Sequence, residues 1–221
     1  MTLDLKAIKQ EITVFLRNKD ILSTEQRNVV TDTFTEVLSD VGEVIINKPN
    51  IKNIRSIEID DDMLKFGYDY LVDYDFKDDV TKCKITFTEN QTGEINIVYD
   101  YGSDKIFPDY PKTELTINAF PRISVDISST FSEINSLCRI LRTNVDFSVI
   151  VYDSGIDKIH DYIKAIRDNI FDNWKEFYYL KGVIIPSSIG PILKSGFEKT
   201  KDKIFQQNAD FTSIYNFEIR N

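Results

Sequence analysis

The spacing of hydrophobic residues changes twice along this sequence and divides it into three stretches. Residues 3–17, LDLKAIKQEITVFLR, place apolar side chains at every third or fourth position, which predicts an amphipathic helix. From Val29 to Gly102 apolar and polar residues alternate, β-branched and aromatic residues are frequent, and turn signals recur at short intervals. This second stretch predicts about six or seven short antiparallel strands that form a small β-sandwich.

The third stretch, from residue 103 onwards, combines both spacings. A proline-containing connector leads into two alternating strands, ISVDISS at 123–129 and NVDFSVIVYD at 144–153. Ile150 and Tyr152 lie on the opposite side of the second strand from its regular apolar positions, so we expect this strand to be partly covered on both faces. Isoleucines at helical spacing then predict a long helix, and VIIP and DFTSIYNFEI predict a short strand and a final strand.

The distribution of charged residues along the chain supports the separation of the second stretch from the other two. Residues 29–102 contain seven Lys or Arg and sixteen Asp or Glu, a formal charge of −9 that equals the net charge of the whole chain. A composition shift of this kind within a short chain is typical of an inserted domain. We therefore predict an α+β core over 1–28 and 103–221, with a mainly antiparallel sheet flanked by helices, and an inserted acidic all-β sandwich over 29–102.

The composition is that of a folded, soluble protein that is synthesised in a cytoplasm. Its apolar runs are far shorter than the roughly 20 residues that a membrane-spanning helix needs, and its first residues lack the apolar region of a signal peptide. We therefore expect no membrane partner. Cys83 and Cys138 have neither a CxxC motif nor a disulfide-framework spacing around them, so we expect buried free thiols.

Catalytic motifs are scarce. The single histidine, His160, lies within the predicted long helix, and one histidine without paired cysteines excludes most zinc sites and nucleophilic triads. The glycine-rich phosphate-binding motifs are absent from the sequence. Asp60, Asp61 and Asp62 fall between two predicted strands, where a solvated hairpin turn is favoured over a calcium site because the EF-hand spacing is missing. We predict no enzyme activity, no catalytic residue, no metal and no cofactor.

Outside the acidic stretch, the sequence resembles the tail-terminator family of long-tailed phages and archaeal tailed viruses, together with its tail-completion relatives. The resemblance lies in FPRISVDI at 120–127, VDFSVIVYD at 145–153, a long helix that ends in IFDNW, and a closing FTSIYNFEI. It covers about residues 3–20 and 105–221. The acidic stretch is similar to a small β-sandwich module of virion proteins, with matches at Arg55, Ser56, Ile57, Tyr68–Tyr74 and Tyr99–Gly102.

This resemblance implies a virion structural protein that forms a ring, commonly a homohexamer, at the end of the tail tube. Its partners would be copies of itself, the tail tube protein, and head-completion, neck or portal-associated proteins. Genome DNA would pass through the lumen without specific binding, and assembly would occur in the host cytoplasm. Because copies of a segment with a charge of −9 repel one another, we expect residues 29–102 to project outwards rather than into the lumen.

Candidate contact residues follow from the first strand of the core. Arg122, Ser124, Asp126 and Ser128 alternate with apolar residues and therefore share its polar face, where we expect subunit or lumen contacts. Two alternatives remain open for the function. One is a head–tail connector or completion protein of the same fold, and the other is an accessory module whose tyrosines bind a glycan or a protein.

Overall fold

A computed structural model describes residues 5–74, 79–109, 119–135, 140–177, 183–194 and 203–218. The chain forms two compact units, which we call the core unit (Met1–Ile21 with Lys105–Asn221) and the inserted unit (Leu22–Asp104). Compared with the borders expected from the sequence, the inserted unit begins at Leu22 rather than Val29. The difference arises because Arg27 is fully buried against Asp100 and Asp104, so the residues before the first strand belong to the inserted unit.

The inserted unit consists of a short helix and one antiparallel sheet of five strands. Its elements are helix α2 (Thr24–Arg27) and strands β1 (Val29–Ile46), β2 (Ile51–Ile59), β3 (Asp62–Met63), β4 (Tyr70–Asp73) and β5 (Cys83–Gly102). The strand order is β1-β5-β2-β3, and β4 also pairs with β5. The prediction of six or seven short strands in a sandwich was wrong, because β1 and β5 are 18 and 20 residues long and all five strands join in one sheet.

Two β-bulges explain this difference. The segments around Asp40 and Gly93 have the composition of turns, but in the structure both lie inside long strands, where they shift the register between β1 and β5. Both residues have positive φ, 56° and 126°. Bulges of this kind bend a strand without ending it. Apolar residues from both ends of β5, such as Ile85 and Ile97, therefore contribute to a single buried cluster.

The acidic hairpin lies where the sequence predicted it. Asp60 and Asp61 connect β2 to β3 with φ of 48° and 71°, the two positive values that a type I′ turn requires. Asp tolerates this left-handed conformation better than most residues. Within the described residues no group of three or more His, Cys, Asp or Glu side chains is arranged to hold a metal ion.

The core unit contains a six-stranded sheet and two longer helices. Helix α1 (Leu5–Asn18) packs against β6 (Ile106–Phe107) and β7 (Arg122–Asn135). Helix α3 (Ile156–Asp172) directly follows β8 (Ile140–Asp153) and packs against β8, β9 (Val183–Ile189) and β11 (Phe205–Glu218). The strand order is β10-β11-β8-β7-β6, where β10 is Leu193–Lys194 and β9 pairs with β11.

Apart from the parallel pair β6–β7, every strand pair of this sheet is antiparallel, which confirms the prediction of a mainly antiparallel sheet. The described part of the chain has no helix that is long and apolar enough to cross a bilayer.

One face of the core sheet is continuously apolar. Val145, Phe147, Val149 and Val151 alternate along β8, and each is at most 1% exposed. The Phe147 ring stacks on the ring of Phe211 in β11, with 5.0 Å between centroids and 14° between planes. This face forms the main packing surface of the core unit.

The opposite face of the sheet is covered by apolar packing at one end. There Ile150 and Tyr152 form a small buried cluster with Phe120 and Ile204. This cluster confirms the prediction that β8 is covered on both faces in part. Arg122 and Ser124, two of the contact residues expected from the sequence, lie opposite Tyr152 and Ile150 at this end. Further along, the face carries polar residues such as Asp126 and Asp210 together with exposed apolar residues such as Ile185.

Candidate subunit-contact face

Strand register aligns polar side chains into a row that crosses four strands of the core sheet. Asp126 of β7 lies opposite Ser148 of β8, Ser148 lies opposite Asp210 of β11, and Asp210 lies opposite Ser188 of β9. Directly opposed residues of an antiparallel pair point to the same side of the sheet. A second row places Asp146 of β8 opposite Thr212 of β11. We call these six residues the polar face: Asp126, Asp146, Ser148, Ser188, Asp210 and Thr212.

Hydroxyl groups bind two of the three carboxylates of the polar face. Ser148 Oγ and Ser188 Oγ each donate to one carboxylate oxygen of Asp210, both at 2.7 Å. Thr212 Oγ1 donates to Asp146 Oδ1, also at 2.7 Å. These short bonds connect neighbouring strands and hold the carboxylates in place, and a hydroxyl donor leaves their negative charge unchanged.

A cation binds Asp126, the third carboxylate of the polar face. Lys9 Nζ of α1 lies 2.8 Å from Asp126 Oδ1 and 3.5 Å from Asp109 Oδ1. Partial burial by itself would lower the pKa of Lys9, but its hydrogen bond with Asp126 and the nearby negative charges outweigh burial and raise it. One end of the polar face is therefore neutralised, while Asp146 and Asp210 carry hydroxyl partners.

The four contact residues expected from the sequence have unequal surroundings. Ser124 is fully buried, so it has no surface to offer a partner in this structure. The Arg122 guanidinium lies over the Phe107 ring, 3.7 Å from its centroid, and burial is the main cause that lowers the pKa of Arg122. Asp126 is bound by Lys9, and Ser128 is exposed and donates to the backbone oxygen of Asp146 at 3.2 Å. Asp126 thus belongs to the polar face, and Ser128 lies next to it.

Five members of the polar face were not identified from the sequence: Asp146, Ser148, Ser188, Asp210 and Thr212. Asp146 and Ser148 alternate with Val145, Phe147 and Val149, so a signal for them existed in the sequence. Their meeting with Asp210 depends on strand order and register, which alternation alone does not specify.

The polar face offers hydrogen-bond acceptors to a partner. Each carboxylate oxygen that accepts a hydroxyl hydrogen retains a lone pair for a further donor, such as an amide, guanidinium or ammonium group. The single histidine, His160, is an exposed residue of α3. The polar face therefore has the donors and acceptors of a protein–protein contact that is partly wet and charged.

Most tyrosines of the inserted unit that suggested glycan binding are buried or in contact with other residues of the fold. Tyr70 and Tyr99 are 3% and 4% exposed, and Tyr74 accepts a hydrogen bond from the backbone nitrogen of Ile54 at 3.3 Å. Lys48 Nζ covers the ring of Tyr101, 4.1 Å from its centroid. Tyr68 is 59% exposed. Stacking on a sugar needs an open aromatic face, so these five tyrosines do not form a shared platform.

Comparison with known proteins adds no family assignment. No protein-family model matches this sequence, and no curated protein matches it.

Proposed function

We propose that this chain is a virion structural protein that assembles into a ring, with six copies, and closes the end of a tail tube where it joins the neck. The proposal rests first on the resemblance of 120–127 and 145–153 to the tail-terminator family. In the structure these segments belong to the adjacent antiparallel strands β7 and β8, and helix α3 begins three residues after β8 ends. The two matching segments and the helix thus follow one another as one contiguous piece of the core unit.

The observation that carries the proposal furthest is the polar face. It extends over four adjacent strands, is built on a continuous apolar packing surface, and presents carboxylates held by hydroxyl groups. A ring requires a heterologous contact, in which one surface of a subunit meets a different surface of the next. A rigid, charged sheet face suits such a contact because its groups are already ordered before association.

The same proposal assigns the acidic inserted unit to the outside of the ring. Residues 29–102 carry a formal charge of −9, and a lumen lined by six such segments would concentrate negative charge around an axis through which DNA passes. On the periphery these charges are separated and screened by salt.

Light scattering on a size-exclusion column and negative-stain electron microscopy test this function. Six-membered rings with outward projections support it, whereas a protein that stays monomeric at high concentration contradicts it. Mixing with the tail tube protein distinguishes a terminator from a completion protein of the same fold, since a terminator caps tubes and stops their growth. Rings that line the lumen with the inserted unit would contradict the outward placement alone.

A further inference from the structure

The inserted unit contains a buried cluster of charges at the point where its two chain ends meet. Arg27 is fully buried, and its side chain donates to two carboxylates that are 0–1% exposed. Nη1 binds Asp100 Oδ2 at 3.0 Å, Nη2 binds Asp104 Oδ2 at 2.7 Å, and Nε approaches both oxygens of Asp104 at 3.2 and 3.3 Å. The guanidinium therefore holds Asp104 with two of its nitrogens and Asp100 with the third.

Further side chains complete the surroundings of Asp100. Arg55 Nε and Thr31 Oγ1 each donate to Asp100 Oδ1 at 2.8 Å, and Asn53 Nδ2 lies 3.4 Å from Asp100 Oδ2. Thr31 belongs to β1, and Asn53 and Arg55 belong to β2. Together with Arg27 of α2, side chains from three elements therefore bind one carboxylate of β5. Full hydrogen bonding is what makes burial of these charges tolerable, because an ion taken from water without partners is strongly unfavourable.

The backbone closes the same place. Ser103 N donates to Asn28 O at 3.1 Å, which joins the residue before β1 to the residue after β5. Gly102 has φ of 126°, and a Cβ atom there would lie 2.8 Å from Asn28 O, so only glycine allows this approach without strain. Arg27 and Asp104 are separated by 77 positions, yet they form an ion pair across the entrance and exit of the unit.

We propose that Arg27, Asp100 and Asp104 form a clamp that seals the inserted unit at its two chain ends and makes it open and close as a separate folding unit of the intact protein. The clamp holds together the two chain ends that lead to the core unit. It lies next to the last residue pair of β1 and β5, in which Val29 is opposite Gly102. Opening of the inserted unit then depends on the clamp and leaves the core unit folded.

The sequence supplies a separate probe for each unit. Cys83 is fully buried in the inserted unit, at the opposite end of β5 from the clamp, so its thiol reacts when the unit opens as a whole. Trp174, the single tryptophan of the chain, belongs to the core unit. Full-length protein with Cys138→Ser keeps one thiol, and pulsed thiol labelling and tryptophan fluorescence are then recorded on the same urea series.

We expect the Cys83 and Trp174 transitions to have different urea midpoints. Arg27→Met removes the buried cation that Asp100 and Asp104 share and should raise the opening constant measured at Cys83 by about 100-fold or more, with the Trp174 midpoint unchanged. Lys48→Met is the matched control, because it removes a partly exposed ion pair with Asp32 in the same unit and should change the opening constant less than about tenfold.

The proposal would be overturned if the Cys83 and Trp174 transitions coincided and shifted together in Arg27→Met. It would also be overturned if Arg27→Met changed the opening constant no more than Lys48→Met does. If Arg27→Met leaves Cys83 fully reactive in water while Trp174 still reports a folded core unit, the proposal is supported. Should that variant be insoluble, Asp104→Asn decides, since it retains the volume of the side chain and should raise Cys83 labelling selectively. Labelling unchanged by Asp104→Asn contradicts the clamp.

Discussion

Replacement of Phe147 by alanine should destabilise the core unit selectively, because this ring lies beneath the polar face. Phe147 and Phe211 are each 1% exposed, and their rings stack at 5.0 Å. Phe147 lies between Asp146 and Ser148 along β8, so its packing fixes the strand that presents both groups. Truncation of a buried phenylalanine costs about 3–5 kcal/mol, of which the aromatic pair accounts for about 0.5–1.5 kcal/mol.

Urea unfolding followed by Trp174 fluorescence measures this loss in the core unit. With a slope of about 2 kcal/mol per molar urea, a loss of about 4 kcal/mol lowers the midpoint by about 2 M. Phe171→Ala is the control, because this phenylalanine of α3 is 57% exposed and its removal should change stability by less than about 0.5 kcal/mol.

A double-mutant cycle isolates the contribution of the ring pair. Phe147→Ala and Phe211→Ala each remove the stacking contact, so their combined loss should be smaller than the sum of the separate losses by at least about 0.5 kcal/mol. If the two stability losses were strictly additive, or if Phe147→Ala had the same urea midpoint as Phe171→Ala, this pair would not be the packing centre beneath the polar face.

Three further predictions concern the bulge, the clamp and the polar face. Gly93→Ala should destabilise the inserted unit by about 1–3 kcal/mol, because φ is 126° and a Cβ atom would collide with the Asp60 carboxylate; thiol labelling of Cys83 measures the loss. Acid should open the inserted unit, because Asp100 has a lowered pKa in the folded state. Burial alone would raise the pKa of Asp100. Hydrogen bonds from Arg55 and Thr31 and the charge of Arg27 outweigh burial and lower this pKa below the usual value near 4. The stability from Asp100 is therefore fully present above about pH 4 and is lost as the pH falls through the lower folded pKa. Cys83 labelling with a pyridyl disulfide, which acid activates towards thiols, records this loss between about pH 6 and 3. Asp210→Lys, which reverses a charge at the centre of the polar face, should abolish ring assembly in light scattering, with the monomer still folded.

Each of these predictions has a control that separates it from general damage. Gly42→Ala adds a Cβ atom in the same unit at a residue without positive φ, where the nearest atom is the end of the Asn90 side chain, and a loss equal to that of Gly93→Ala would exclude backbone strain as the cause. Acid labelling that is unchanged in Thr31→Val would argue against Asp100 as the titrating group, since this threonine donates one of its bonds. Asp210→Asn, which retains the shape of the side chain without reversing its charge, is the control for Asp210→Lys. Rings that persist in Asp210→Lys would show that the polar face is not part of the subunit contact.

The sequence predicted elements better than their connections. Isoleucine spacing specified α3, and the alternation of Val145 to Val151 specified β8, because one buried face imposes its period on local residue choice. The turn-like segments at Asp40 and Gly93 were misinterpreted for a local reason: the same residue types tolerate positive φ in a turn and in a bulge. Only pairing with the neighbouring strand distinguishes the two.

By itself, the sequence determined the period of each segment, the concentration of acidic charge in 29–102, the acidic hairpin at Asp60–Asp62 and the apolar faces of β8 and α3. Each of these depends on neighbours that are close along the chain, so local pattern is sufficient to specify it. Tertiary structure alone decided that Asp126, Ser148, Asp210 and Ser188 meet in one row and that Arg27 closes on Asp104. Both arrangements join residues far apart in sequence through strand order and register, and long-range packing sets these in the folded state.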